Sequence, residues 1–424
     1  MGAGYYTITK ITDFGPYVTK VILPLDFEIA NHNLPEGAFS VYVERLDKKG
    51  NVIEVPKSWM APDDKEPSKG YIPVMEAFTC DLDGEKKEVG EYIALCMRYG
   101  PTCQLSASIT AVGGFNVYLY SRYVITQTKT IEDEHELIQG KVYDFCLENR
   151  EVDSYGFLNS ISQYRECPLR YGYFIPQYKG EKHPLLIWLH GGGEGGVEPT
   201  IAYTGNKVTN LITPKIQDMF QGAYVLAPQT TTFWLNDGTG TYGDTGKTIY
   251  GTALMELIKE FLSFNSGIDL DRIYIGGDSN GGFMTMRMIV DYPDFFAAAF
   301  PVCEGLYDRR ISDENIEQIK HLPIWFTHAK NDTILPPEET VLPTYHRLIK
   351  AGAADVHLTL WDRITDIHEG FQNDKMEPYE YMGHFSWIPM LNDDCHLDYD
   401  GSSVTFQGQD VTLLQWLSKQ KRTI

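Results

Sequence analysis

From about residue 140 onward the chain alternates two kinds of segment, and this alternation limits its fold more than any other feature. "HPLLIWLH", "AYVLAPQ", "RIYIGGDS", "AAAFPVCE", "LPIWFTHAKND" and "DVHLTLWD" are continuous apolar runs or contain one. A run of that kind has no polar face to offer to water, so it fits a strand buried on both faces of a parallel sheet. Between these runs, "GTALMELIKEFLSF", "GGFMTMRMIVDYP" and "TVLPTYHRLIKAGA" repeat their apolar residues at helical spacing, as "DVTLLQWLSKQKR" does later. The alternation predicts an α/β fold over residues 140–424, a doubly wound sheet whose ligands bind beyond the carboxyl ends of its strands.

Residues 1–130 follow a different pattern. "TKVILPL", "FSVYVERL", "NVIEV", "EYIALCMRY" and "FNVYLYSRYVITQ" are β-branched and aromatic, and turn-like pieces such as "LDKKGN" and "DLDGEKKEVG" separate them. Short strands at regular spacing predict an all-β, Ig-like sandwich domain, although the Cys…Trp…Cys hallmark of antibody domains is missing. The linker is expected within "TQTKTIEDEHELIQGK", residues 126–141. This first domain fits a structural appendage, a carbohydrate- or partner-binding module, or the contact through which a homo-oligomer forms.

Composition excludes several classes. A formal charge of −22 argues against nucleic acid and anionic membranes, since both need clustered Lys and Arg. No window approaches the ~20 apolar residues of a membrane span. The first residues, "MGAGYYTITKITDFGPYVTKVILPL", lack a basic segment followed by an apolar run. A cytoplasmic protein and a secreted one with its signal removed both fit, with secretion slightly favoured. The seven cysteines are scattered and odd in number, so they give no complete disulfide framework.

Chemistry is expected where the strands end. Gly277-Asp278-Ser279-Asn280-Gly281 has the form G-x-S-x-G, which a glycine-rich chain can also meet by chance. Its setting decides. An apolar strand enters it and a helical run leaves it, as a nucleophile elbow requires, and small residues stand two before and two after the serine. Ser279 is therefore the expected nucleophile, and the backbone N–H of Asn280 is a natural donor to an oxyanion. "LIWLHGGGEGG", residues 186–196, supplies the other donors: His190-Gly191-Gly192-Gly193 has the form of an oxyanion loop, with Gly192 and Gly193 as candidates and His190 as support. It lacks both phosphate-loop patterns, G-x-x-x-x-G-K-[ST] and G-x-G-x-x-G.

The chain order Ser, acid, His puts the base near the end of the chain. His384 in "YMGHFSWIPML" is chosen over His368 and His396, which sit in acidic, loop-like surroundings. Asp332, in the polar turn after "PIWFTHAKN", is chosen to orient the imidazole, ahead of Glu304 and Asp366. Trp234 in "TTFWLNDG" either lines a substrate pocket at the site mouth or caps the core. "HLDYDG", residues 396–401, echoes a calcium loop but has His396 where that motif wants Asp. No metal and no cofactor are expected.

"LHGGGEGG", "IYIGGDSNGGFMTMRM", "FPVCEG", "PIWFTHAKNDTILPP" and "GHFSWI" occur in this order. Together they resemble bacterial α/β-hydrolase esterases of the polyhydroxybutyrate-depolymerase-like and prolyl-oligopeptidase-like groups, and carboxylesterases with an N-terminal Ig-like domain in particular. The resemblance implies an α/β-hydrolase domain, a triad of Ser279, Asp332 and His384, and an oxyanion hole at Gly192, Gly193 and Asn280. It implies hydrolysis of a small-molecule or carbohydrate-linked ester. Feruloyl and acetyl xylan esters fit, and so does a peptidase of the prolyl-oligopeptidase type. Nothing in the chain resembles the polymer-binding tail of the depolymerases.

Overall fold

The computed structural model describes residues 2–58, 61–133, 136–180, 182–240 and 243–422. The chain divides into two compact units, Met1–Tyr155 and Gly156–Ile424. Its cysteines form no disulfide, and none of the described helices is long and apolar enough to cross a membrane.

Among the described residues the main sheet of the first unit has eight strands: β1 (Ala3–Thr12), β2 (Gly15–Ala30), β3 (Phe39–Glu44), β4 (Lys69–Ile72), β5 (Val74–Cys80), β6 (Val89–Met97), β7 (Arg122–Gln127) and β8 (Val142–Glu151). They lie in the order β4-β3-β7-β8-β1-β2-β6-β5. All neighbours are antiparallel except β1 and β8, which run parallel with Ala3 opposite Tyr143. Phe39, Val41 and Val43 of β3 point inward while Ser40, Tyr42 and Glu44 alternate with them, the two-residue period of a half-buried strand. Val41 and Val43 share one core with Ile72, Val21, Leu23, Ile93 and Leu95. Strands from opposite halves of the order meet over that core only because the sheet curls, which gives the expected all-β, Ig-like architecture.

The linker does not fall at 126–141. That segment holds the end of β7 and a small hairpin, Ile131–Asp133 with Glu136–Ile138, while residues 134 and 135 lie outside the described ones. Its run of charges reads as solvated chain. Yet Ile131, Ile138 and the following Tyr143 are buried in the core, which holds the whole stretch in the first unit through β8.

The second unit carries β9 (Leu158–Ile161), β10 (Arg170–Phe174), β11 (His183–Leu189), β12 (Tyr224–Gln229), β13 (Ile268–Asp278), β14 (Ala298–Val302), β15 (Ile324–Ala329) and β16 (Val356–Trp361). Their order is β9-β10-β12-β11-β13-β14-β15-β16. The last six are parallel and coincide with the six apolar runs, whereas β9 and β10 add an antiparallel edge. Leu185 through Leu189 are completely buried, as two-faced burial requires. Helices α1 (Gly251–Phe264), α2 (Asn280–Asp291), α3 (Val341–Lys350) and α4 (Leu413–Lys419) fall on the helix-period segments. The side chains of Thr412 and Gln415 cap α4 reciprocally. Because β11 lies between β12 and β13, the strand order reverses there, and in sheets of this kind ligands bind beyond the carboxyl ends of the strands at such a reversal.

Candidate active site

Ser279 sits between β13 and α2 with φ 54° and ψ −112°. Such a backbone costs roughly 1–3 kcal/mol and persists only where the surroundings enforce it. Here the Ser279 N–H donates to the Val302 carbonyl at 2.9 Å, and the Ser279 carbonyl accepts from Phe283 N–H at 2.8 Å. The glycines are obligatory for the same reason. A Cβ on Gly281 would lie 1.9 Å from the Leu189 carbonyl oxygen, and one on Gly277 would lie 2.3 Å from it. The elbow is thus wedged against the end of β11.

His384 stands in a short 3-10 turn, Gly383–Phe385, and is almost fully buried. Its Nδ1 lies 2.8 Å from Asp332 Oδ2 and its Nε2 lies 2.9 Å from Ser279 Oγ. A carboxylate can only accept, so Nδ1 donates to Asp332, and Nε2 is left to accept from the serine hydroxyl. Gly383 allows the close approach: a Cβ there would fall 2.3 Å from Asn331 Oδ1, so the histidine turn rests directly on the aspartate turn. The indole of Trp387 meets the imidazole edge-on at 5.9 Å.

Asp332 is itself heavily held. Oδ1 accepts from the N–H groups of Ile334 at 2.8 Å and Leu335 at 3.0 Å. Burial would raise its carboxyl, but hydrogen bonds from His328 and His384 outweigh burial and hold it well below the usual carboxylate range. His328 was not singled out from the sequence. It is fully buried, and its Nε2 lies 2.9 Å from the Leu335 carbonyl and 3.2 Å from Asp332 Oδ2. Its place in "THAKND", four residues before the aspartate, was the only available signal.

The rival residues are engaged elsewhere. Glu304 Oε2 accepts from Leu306 N–H at 2.7 Å, and burial pushes its carboxyl up to about 8. Asp366 accepts from the Tyr381 hydroxyl and from Phe371 N–H, both at 2.8 Å. His368 is bonded to Asp394 Oδ2 and His396 to the Asp394 carbonyl.

Behind the elbow lies the glycine loop. His190 is buried, with Nδ1 2.6 Å from the Gly191 carbonyl and Nε2 accepting from Thr230 N–H at 3.1 Å. Burial pulls its pKa down to about 4, so the ring is neutral and locks the loop. Gly191 is buried, whereas Gly192 and Gly193 remain half-exposed. Asn280 is the first residue of α2, where backbone N–H groups have no intrahelical partner, and its side chain accepts from Leu235 N–H at 3.2 Å. Trp234 corrects the pocket expectation. It is fully buried in the core, 5.2 Å from the His190 ring and edge-on to Tyr250, because its loop turns inward after β12. Its indole is packed in the core and not exposed at a site mouth.

In "HLDYDG" the Asp398 carboxylate accepts from His357 Nδ1 at 2.6 Å, Tyr399 N–H at 2.7 Å and Leu358 N–H at 3.1 Å. Among the described residues no cluster of His, Cys, Asp and Glu is arranged to hold a metal ion.

Residues 4–140 match the esterase Ig-like N-terminal domain family, and residues 242–318 match the prolyl oligopeptidase family. A solved structure described as a thermostable esterase shares 23% identity over 99% of this chain and 100% of its own, with a TM-score of 0.75, and so shares the fold. A poly(3-hydroxyalkanoate) depolymerase C of Paucimonas lemoignei is 30% identical over 31% of this chain and 30% of its own length. An acyl-protein thioesterase 1 of Eremothecium gossypii is 27% identical over 33% of this chain. The matched region spans half of the thioesterase's length.

Proposed function

We propose that this serine hydrolase, whose α/β-hydrolase domain follows an Ig-like domain of the esterase kind, is a carboxylesterase working through an acyl-enzyme on Ser279. The observation that carries the reading is the continuous hydrogen-bonded line from Ser279 Oγ through His384 to Asp332, at 2.9 and 2.8 Å. As Ser279 Oγ attacks the ester carbonyl carbon, its proton passes to His384 Nε2. The carbonyl oxygen becomes an oxyanion, for which the backbone N–H groups of Gly192, Gly193 and Asn280 are the candidate donors. Asp332, held ionised, keeps Nδ1–H in place and stabilises the imidazolium. His384 then protonates the departing alkoxide, the C–O bond breaks, and Ser279 is left acylated. Water, deprotonated by the same Nε2, attacks the acyl carbon; the bond to Ser279 Oγ breaks, the proton passes from Nε2 to Oγ, and the acid is released.

Small carboxylic esters, free or carried on carbohydrate, are the proposed substrates. A panel of p-nitrophenyl acyl esters, methyl ferulate and acetylated xylan assigns the class. Ser279→Ala should abolish turnover and fluorophosphonate labelling while the protein stays folded, and an active Ser279→Ala enzyme would sink the proposal. The prolyl oligopeptidase match over residues 242–318 supports a second reading, a peptidase. Cleavage of acylated peptides at rates exceeding those for esters would favour it.

A further inference from the structure

The acid that orients His384 touches a second histidine, which the reaction above does not use. His328 stands next to last in β15, a strand whose six residues are all buried. An apolar side chain would fill that place and leave no polar atom to satisfy. The histidine does leave one. Its Nδ1 is buried with no hydrogen-bond partner among the described residues, a cost that the other ring nitrogen has to offset.

That nitrogen has two acceptors. Nε2 lies 2.9 Å from the Leu335 carbonyl and 3.2 Å from Asp332 Oδ2. A carbonyl can only accept, so Nε2 carries hydrogen, and that hydrogen lies between the two oxygens. Oδ2 is the oxygen that takes His384 Nδ1–H at 2.8 Å. The N–H groups of Ile334 and Leu335 occupy Oδ1, so each carboxylate oxygen meets two donors and its lone-pair directions are filled. Leu335 gives its N–H to Asp332 and its carbonyl to His328, which closes the aspartate turn onto the end of β15. Burial raises the Asp332 carboxyl, and among the groups that bring it below the usual carboxylate range His328 comes ahead of His384.

We propose that His328 is a positioning residue for turnover: its Nε2–H pins Asp332 Oδ2 where it receives Nδ1–H of His384, so that the carboxylate cannot turn away as the imidazolium forms and gives up its proton. This inference rests on the esterase reading. It adds to the triad a fourth side chain that acts only through Asp332.

The test is kcat and KM with p-nitrophenyl acetate for wild type, His328→Gln, His328→Asn and His328→Phe, each alone and combined with Asp332→Asn. Fluorophosphonate labelling rates and Tm are measured alongside. A glutamine amide nitrogen can reach the place of Nε2, whereas an asparagine amide falls near Nδ1 and phenylalanine offers no donor. His328→Asn and His328→Phe should each lower kcat by about tenfold to a hundredfold, the loss of one hydrogen bond to a charged group, with KM changed by less than about threefold. His328→Gln should recover kcat to within about threefold of wild type. With Asp332→Asn in place there is no carboxylate to pin, so the same substitutions should cost less than about threefold more. A histidine that only fills the core would lower kcat by one factor in both backgrounds. Should His328→Phe fail to fold, the glutamine and asparagine variants decide. Equal losses with and without Asp332→Asn, or a glutamine variant as slow as the asparagine one, overturn the role of His328. So does a wild type that labels and turns over while His328→Asn and His328→Phe match its kcat, and the esterase reading then stands. A wild type that neither labels nor turns over overturns that reading and this inference with it.

Discussion

Two histidines in the second unit are each gripped by aspartate, and the difference between them separates chemistry from architecture. His384 gives Nδ1 to Asp332 and turns Nε2 toward a hydroxyl. His357 gives Nδ1 to Asp398 at 2.6 Å and Nε2 to Asp355 at 3.0 Å, with carboxylates at both ends. Burial works against a charged His357, but the two aspartates overcome it and push the ring up to about 9 from an ordinary 6.5. A histidine saturated with carboxylates holds its proton, whereas one with a carboxylate on one side and a hydroxyl on the other can pass a proton along. The aspartate that clamps His357 also accepts from Trp416 Nε1 and Gln420 Nε2, which ties β16 to α4 and the segment after it.

The sharpest way to break the comparison is at the hydroxyl. Ser279→Ala should cost about 10⁶-fold in kcat with little change in Tm, since one fixed oxygen is removed from a site that otherwise keeps its packing. Next comes the carboxylate. Asp332→Asn should lower kcat by roughly 10⁴-fold near neutral pH, because the amide no longer favours the imidazolium and can turn the ring to the wrong tautomer. Retention of more than a tenth of wild-type turnover would show that His384 does not depend on Asp332.

At the other histidine the loss should appear in stability, with kcat unaffected. His357→Asn should cost about 1–3 kcal/mol near pH 6, the range of hydrogen bonds to charged groups discounted for partial exposure. The sign follows from a raised folded pKa: the contribution is complete below about 6.5 and disappears as pH rises through about 9. The gap in Tm between wild type and His357→Asn should therefore close between those values, and a gap that widens would contradict the clamp. The smallest effects belong to the exposed His368 and His396. Alanine at either should change stability by less than about 0.5 kcal/mol and kcat by less than about twofold.

What could be read in the sequence followed from burial. The six parallel strands have no exposed face, so their residues are apolar throughout and need no alignment to be seen. Ser279, Asp332 and His384 could be chosen because each follows such a strand or a turn in the expected chain order, and the structure brings the three side chains together. The antiparallel edge was not legible. Leu158–Ile161 is exposed along its whole length, so "LNSI" carries no pattern that separates it from loop. The linker was misplaced because charge was read without the isoleucines and tyrosine that anchor it. His328 escaped notice for a different reason: it closes an apolar strand and reads as core, and its significance lies in the contact it makes with Asp332 in the turn four residues on.

The parallel pairing of β1 with β8 has a consequence for biosynthesis. During translation the first strand can form its hairpin with β2 within moments, but its other edge stays open until residues up to Glu151 have left the ribosome. A sheet closed by so distant a partner gains its last ladder late and at an entropic cost that local hairpins avoid. The first unit should therefore fold only once its last strand has emerged, and a chain stopped short of β8 would expose an unpaired strand edge, a template for self-association.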